Sequence, residues 1–169
     1  MGYNYGKAFE QIFREDWKKS FPEGTIDRIY DTVGNYSNVR NVSDFICYAY
    51  PNIYYIECKT HRHGRTWNLK YLTQLEKLST KVGVKGVIAG VVLWLVEEKR
   101  LFFLPIESVL KMERDGLKSF STKMDFGAYD IVEIPIARAG RTYCHGDYRA
   151  IKERYGERET EGGAGQAGD

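Results

Sequence analysis

The chain has 169 residues, with 25 Lys plus Arg against 23 Asp plus Glu, 43% apolar and 14% aromatic residues and three cysteines. That length suits one domain with a proper core, and the composition excludes an intrinsically disordered chain. The longest near-apolar stretch, Val87 to Val96, is about half of what a spanning helix needs, and Met1-Gly2-Tyr3-Asn4-Tyr5 carries no apolar leader. Cys47, Cys58 and Cys144 cannot all pair internally and point to no oxidising compartment. The expectation is a cytoplasmic protein without a membrane partner.

Charge is unevenly distributed. From Gly156 to Asp169 four acids face Arg158 alone, a net −3, so the other 155 residues carry +5. The same tail holds five of the 17 glycines and no large apolar side chain. It cannot offset its ordering entropy and is expected to be a disordered, Gly-rich acidic tail behind a domain of residues 1–155.

In chain order, Phe9, Ile12, Phe13 and Trp17 recur at helical spacing and predict an amphipathic helix from Gly6 to about Lys19. A short strand follows at Ile26 to Tyr30, then a polar loop from Asp31 to Val42. Asp44 to Tyr50 and Ile53 to Lys59 are β-rich runs around Pro51-Asn52, which predicts a hairpin. His61 to Thr66 reads as a basic loop, and Asn68 as the cap of a helix carrying Leu72, Leu75, Leu78 and Val82. Gly86 to Val96 predicts a central buried strand, and Leu101 to Leu104 its returning neighbour. A helix from Pro105 to Gly116, a strand at Ile131 to Ile136 and a helix at Asp147 to Tyr155 complete the chain. The fold class is α/β, a mixed sheet flanked by helices.

The hairpin carries the sharpest chemistry. With a two-residue Pro51-Asn52 loop, Asp44 lies opposite Lys59, and Glu57 is diagonal to Asp44 on the same face. Opposite Cβ atoms lie ~5 Å apart and diagonal ones ~7–8 Å, so two acids and a lysine converge at a sheet edge. Two close carboxylates need a proton or a cation between them, and their oxygens suit Mg²⁺ or Mn²⁺. From the residues alone, a surface lysine–acid cluster and a metal site stand as equal readings. A zinc site built from Cys58, His61, His63, Cys144 and His145 fits no standard spacing.

Asp44 followed by Glu57-Cys58-Lys59 resembles the Asp…Glu-x-Lys core of the restriction-endonuclease-like nucleases. Three further segments narrow the resemblance to RecU-type Holliday junction resolvases. Tyr5-Gly6-Lys7-Ala8-Phe9-Glu10 resembles their Gly-x-x-Phe-Glu helix, and Asn68 to Glu76 the helix after the core, with Gln74 as its glutamine. Ile131 to Ile136 with Gly146-Asp147-Tyr148 resembles their closing strand and helix. One departure is plain: where that family carries a long stalk, only Asp31 to Ser43 stand here, closer to the smaller archaeal-type resolvases.

The resemblance implies a restriction-endonuclease-like sheet and a structure-selective endonuclease that cuts four-way DNA junctions, leaving 5′-phosphate and 3′-hydroxyl ends. It implies that Asp44, Glu57 and the Cys58 carbonyl hold a divalent cation, Mg²⁺ or Mn²⁺, with Glu10 reaching in from the first helix. Lys59 would orient or deprotonate the attacking water, and Gln74 would position water or phosphate. Lys7, Arg28, Arg40, Arg62, Arg65, Lys70, Arg138 and Arg141 are the candidate DNA contacts. A homodimer is expected, because a two-fold junction needs two nicks of like polarity. Another nuclease of the same fold, or a non-cleaving DNA-binding protein that kept it, is the alternative. The expected setting is the cytoplasm of a bacterial or phage-infected cell.

Overall fold

Phe9, Phe13 and Trp17 fall on one stripe of helix α1, Tyr5–Ser20, and all three are fully buried. The Asn4 side chain caps the helix by accepting the Lys7 N–H at 3.0 Å. The computed structural model describes residues 2–30 and 41–156; the expected tail lies almost wholly outside them, as does most of the expected polar loop from Asp31 to Val42.

After α1 come strands β1 (Thr25–Arg28), β2 (Phe45–Ala49) and β3 (Asn52–His61). Next are β4 (Thr66–Asn68), a 3-10 turn at Leu69–Tyr71 and the short helix α2 (Leu75–Ser79). Strands β5 (Val87–Leu95) and β6 (Arg100–Pro105) lead to helix α3 (Ile106–Arg114) and β7 (Ser119–Ser121). The chain then forms β8 (Val132–Ile134), β9 (Ile136–Ala139), β10 (Cys144–Gly146) and helix α4 (Arg149–Gly156). Among the described residues the main sheet has six strands in the order β1-β2-β3-β5-β6-β8, with β3 and β5 parallel and the other pairs antiparallel. Two ribbons, β9–β10 and β4–β7, stand beside it.

Alternation along the strands divides the core into two layers. On one face Phe9, Phe13 and Trp17 pack against Trp94, Phe45 and Tyr54, and Tyr148, Ile151 and Tyr155 join them. On the other, Trp67, Leu78, Val109, Met112 and Phe120 cover Val91, Leu93, Phe102 and Leu104. The mixed sheet flanked by helices is the predicted architecture.

Three local expectations are corrected. The hairpin turn is Tyr50-Pro51, so Ala49 faces Asn52 and Phe45 faces Ile56. Pro51 has no N–H to give a ladder and is better spent in the turn, while Asn52 can pair. The expected helix after Asn68 is interrupted: Asn68 caps only the 3-10 turn, and Lys118 O accepts the Leu69 N–H at 2.9 Å, tying that turn to β7. The expected strand from Ile131 to Ile136 breaks at Pro135, with β8 in the main sheet and β9 paired to β10.

Candidate active site

β2 pairs with β3 only as far as Ile56, whereas β5 accompanies β3 on to His61. Residues 57–61 therefore form a local edge within the sheet, where backbone groups that β2 would have paired are left to other partners. Asp44, one residue before β2, takes the first of them: its Oδ2 accepts the Cys58 N–H at 2.9 Å. Continuing the observed register by one residue sets Asp44 opposite Glu57. The acids thus lie directly across from each other and not on a diagonal as expected; a slip of two residues keeps every side chain on its expected face.

Glu57 and Lys59 point to the α2–α3 face, beside Val91 and Leu93, and Cys58 points to the α1 face. Glu57 is 3% exposed, its Oε1 lies 3.1 Å from Lys59 Nζ, and its Oε2 is buried with no hydrogen-bond partner. Burial, with the negative charge of Asp44 added, raises its carboxyl to about 7 although Lys59 and, more weakly, the Asp44 backbone pull the other way. From α1, Glu10 enters the same field. Burial and Asp44 raise its carboxyl, while Arg28 and Lys59 hold it down. Arg28 of β1 is ion-paired with Glu10 and stacks over the Tyr30 and Phe45 rings at 5.7 and 5.5 Å.

This arrangement suits a small, hard cation. Among the described residues no three His, Cys, Asp or Glu side chains are gathered as a ready-made site, and Mg²⁺ asks for less: one or two carboxylates, with water and substrate oxygens completing the shell. The orphaned Glu57 Oε2 is the acceptor that such an ion would satisfy. In a strand the N–H and C=O of one residue point to the same side, so the Cys58 carbonyl shares the local edge with Asp44. The Cys58 thiol points away from Glu57 and Lys59 into the α1-face core, where burial and then Asp44, Glu10 and Glu57 push its pKa well up.

No protein-family model matches the sequence. No curated protein matches it either. Among solved structures the chain is similar to Archaeoglobus fulgidus Hjc, a Holliday junction resolvase from an archaeal hyperthermophile, with a TM-score of 0.50 and 21% identity over 74% of this chain and 92% of that one. The chain has the restriction-endonuclease-like fold.

In that fold the remaining candidates divide by position. Gln74 stands at the start of α2, half-buried, with Oε1 accepting from the Thr73 hydroxyl at 3.1 Å; among the described residues no hydrogen bond joins it to Glu57 or Lys59. Lys7 is exposed one turn before Glu10, and Arg62, just past the end of β3, lies over the Tyr5 ring at 5.3 Å. Lys7 and Arg62 thus lie by the first turns of α1, and Arg28 pairs with Glu10. Arg65 is ion-paired with Glu98 at 3.2 Å, and Lys70 lies over the Tyr71 ring at 5.4 Å. Arg138 and Arg141 belong to the β9–β10 ribbon, on the other flank of α1, and Arg40 lies outside the described residues.

Sequence reasoning named both Glu10 and Arg28 and missed that they pair. It also missed Asp16, buried in α1, which holds His145 Nδ1 at 2.8 Å and accepts the Gly146 N–H at 3.0 Å. An acid on the apolar stripe beside Trp17 was the available signal. Tyr54, Phe102 and Phe126 belong to the packing of the core, whereas Tyr48, Tyr50 and Ile53 at the hairpin tip stay exposed. No helix of the described residues is long and apolar enough to cross a membrane.

Proposed function

We propose that this chain is a divalent-cation-dependent endodeoxyribonuclease that resolves four-way DNA junctions as a homodimer, of the RecU-like kind with a reduced stalk. The observation that carries the reading is the orphaned Glu57 carboxylate oxygen between Asp44 and Lys59 on a local sheet edge. An uncompensated buried acceptor costs ~1–3 kcal/mol or more, and a cation-binding role supplies the reason to keep it. The resolvase likeness of the fold supports the choice of DNA as substrate.

Asp44, Glu57 and the Cys58 carbonyl would hold the ion, with Glu10 joining from α1. Bound there, Mg²⁺ or Mn²⁺ would polarise the scissile phosphate and make water a better nucleophile. The chain's own groups do the rest. Lys59, anchored at 3.1 Å by Glu57, presents a positive charge to the phosphate oxygens as negative charge develops on them and orients the attacking water. Water forms the new bond to phosphorus, the bond to the 3′ oxygen breaks, and the released strand ends are a 5′-phosphate and a 3′-hydroxyl. Lys7, Arg28 and Arg62 would hold the cut strand's phosphates. The cytoplasm of a bacterial or phage-infected cell is the proposed compartment.

The test is incubation of an end-labelled four-way junction and a linear duplex of the same sequence with and without Mg²⁺. Paired symmetric nicks in the junction, lost in excess chelator, are expected. Equal cutting of linear duplex would leave another nuclease of this fold, and tight binding without cutting in any divalent cation would leave a DNA-binding protein. Light scattering should give twice the chain mass.

A further inference from the structure

Helix α1 serves two flanks of the molecule. Glu10 faces β1, while Asp16, ~9 Å further along the axis, faces β10. Asp16 is buried and both its oxygens are engaged, with His145 Nδ1 at 2.8 Å and the Gly146 N–H at 3.0 Å. With Nδ1 engaged by Asp16, Nε2 is the ring's remaining polar atom. Beside this tie opens a cleft of about 540 Å³ whose polar wall is Lys19, Ser20, Arg138, His145, Asp147 and Arg149.

The charges in that wall do not cancel. Asp147 is gripped by its near neighbour Arg149, whose Nε donates to both carboxylate oxygens at 2.9 and 3.0 Å, and this holds its pKa below the usual carboxylate range. Asp16 has both oxygens engaged as acceptors, and with Lys19, Arg138 and Arg149 against Asp16 and Asp147 the lining keeps a net positive charge of one. Among the described residues Lys19 and Arg138 make no ion pair, so their cationic groups stay available at the cleft, beside a serine hydroxyl and an imidazole. Such a concave, donor-rich wall suits phosphate oxygens. No Phe, Tyr or Trp lines it, and the His145 imidazole is held edge-on by Asp16 through Nδ1, so the wall offers hydrogen-bond donors and charge to the sugar–phosphate backbone more than a broad stacking platform.

We propose that this cleft is a second DNA-backbone site, separate from the carboxylate centre, that grips the phosphates of an arm which is not being cut. The inference rests on the DNA reading above and adds its partner surface: Lys19, Arg138 and His145, with Asp16 as the positioning residue that fixes the imidazole. One chain thereby touches two stretches of backbone on opposite flanks of α1, as a branched substrate requires and a short single strand does not.

The experiment compares wild type with Lys19→Glu/Arg138→Glu in chelator, where no cutting intervenes, by fluorescence anisotropy on a long-armed four-way junction across a salt series. Both side chains are exposed, and matching circular dichroism and melting curves establish that the variant is folded; Lys19→Gln/Arg138→Gln provides a milder second variant. At least tenfold weaker binding is expected, with a log K against log salt slope shallower by about two phosphate contacts, and a smaller change in the same direction for the glutamine pair. Unchanged affinity and slope in both folded variants overturn the second site alone. Wild type that binds no DNA overturns the nuclease reading, a result distinct from the first.

Discussion

Lys59 Nζ lies 3.1 Å from Glu57 Oε1, and the other oxygen of the same carboxylate is buried without a partner. One oxygen of Glu57 thus anchors the lysine and the other has no hydrogen-bond partner. On strand β3 this division follows from alternation: the two residues share a face, separated by Cys58, whose side chain goes to the α1 core.

Lys59→Ala should therefore lower the cleavage rate by on the order of 10²–10⁴, the usual worth of a positioned catalytic group, at saturating Mg²⁺ and junction. Lys70→Ala, a replacement on the surface over Tyr71, should act on affinity and its salt dependence instead. Single-turnover cleavage beside binding isotherms separates the two. A Lys59→Ala protein that cuts at the wild-type rate would reduce the pair to a structural salt bridge.

The Glu10–Arg28 pair makes a second, spectroscopic prediction. Burial and Asp44 already raise the Glu10 carboxyl, and Arg28 is the leading influence that opposes them. Removing the guanidinium in Arg28→Ala should move the Glu10 titration midpoint further up, read by carbon NMR of the side-chain carboxyl. A midpoint that stays put or falls would mean that the pair is not formed in solution.

Much of this site was legible because it depends on short-range periodicity. Phe9, Phe13 and Trp17 reveal the helix that carries Glu10, and Glu57-Cys58-Lys59 places two polar side chains on one strand face whatever the register. The register itself was not legible. Both Pro51-Asn52 and Tyr50-Pro51 make two-residue loops, and only the pairing of Ala49 with Asn52 decides between them. The break at Pro135 could have been read from the missing N–H. The Asp16–His145 tie joins residues 129 positions apart, which no local pattern encodes.

Gly90 supports the site from β5, where it pairs with Ile56, the residue before Glu57. A Cβ built there would stand 2.4 Å from the Phe103 ring and 2.7 Å from the Leu104 carbonyl oxygen. The ring is packed in the core and the carbonyl belongs to the neighbouring strand, so neither yields cheaply. Gly90→Ala should cost ~1–3 kcal/mol in urea denaturation, the usual range for overpacking. An unchanged midpoint would show that β5 and β6 can separate without loss.

The last prediction follows from the raised carboxyl of Glu57. Its pKa is about 7 in the fold against an ordinary 4.5, so between those values the native protein holds a proton that the unfolded chain has released. Stability then falls as pH rises through that window, because the folded state binds more protons. The full shift corresponds to about 3 kcal/mol, and Glu57 is buried enough for most of it to be felt. Glu57→Gln keeps the shape and cannot ionise, so its stability minus that of wild type should grow from pH 5 to pH 8 by an amount of that order, measured by urea denaturation in chelator. Saturating Mg²⁺ or Mn²⁺ should shrink the difference at pH 8, since a cation stabilises the ionised carboxylate of wild type, and should do little to the amide variant. A constant difference across the pH range would mean that Glu57 titrates normally. A difference that grows with pH but ignores divalent cations would keep the buried carboxylate and remove its metal.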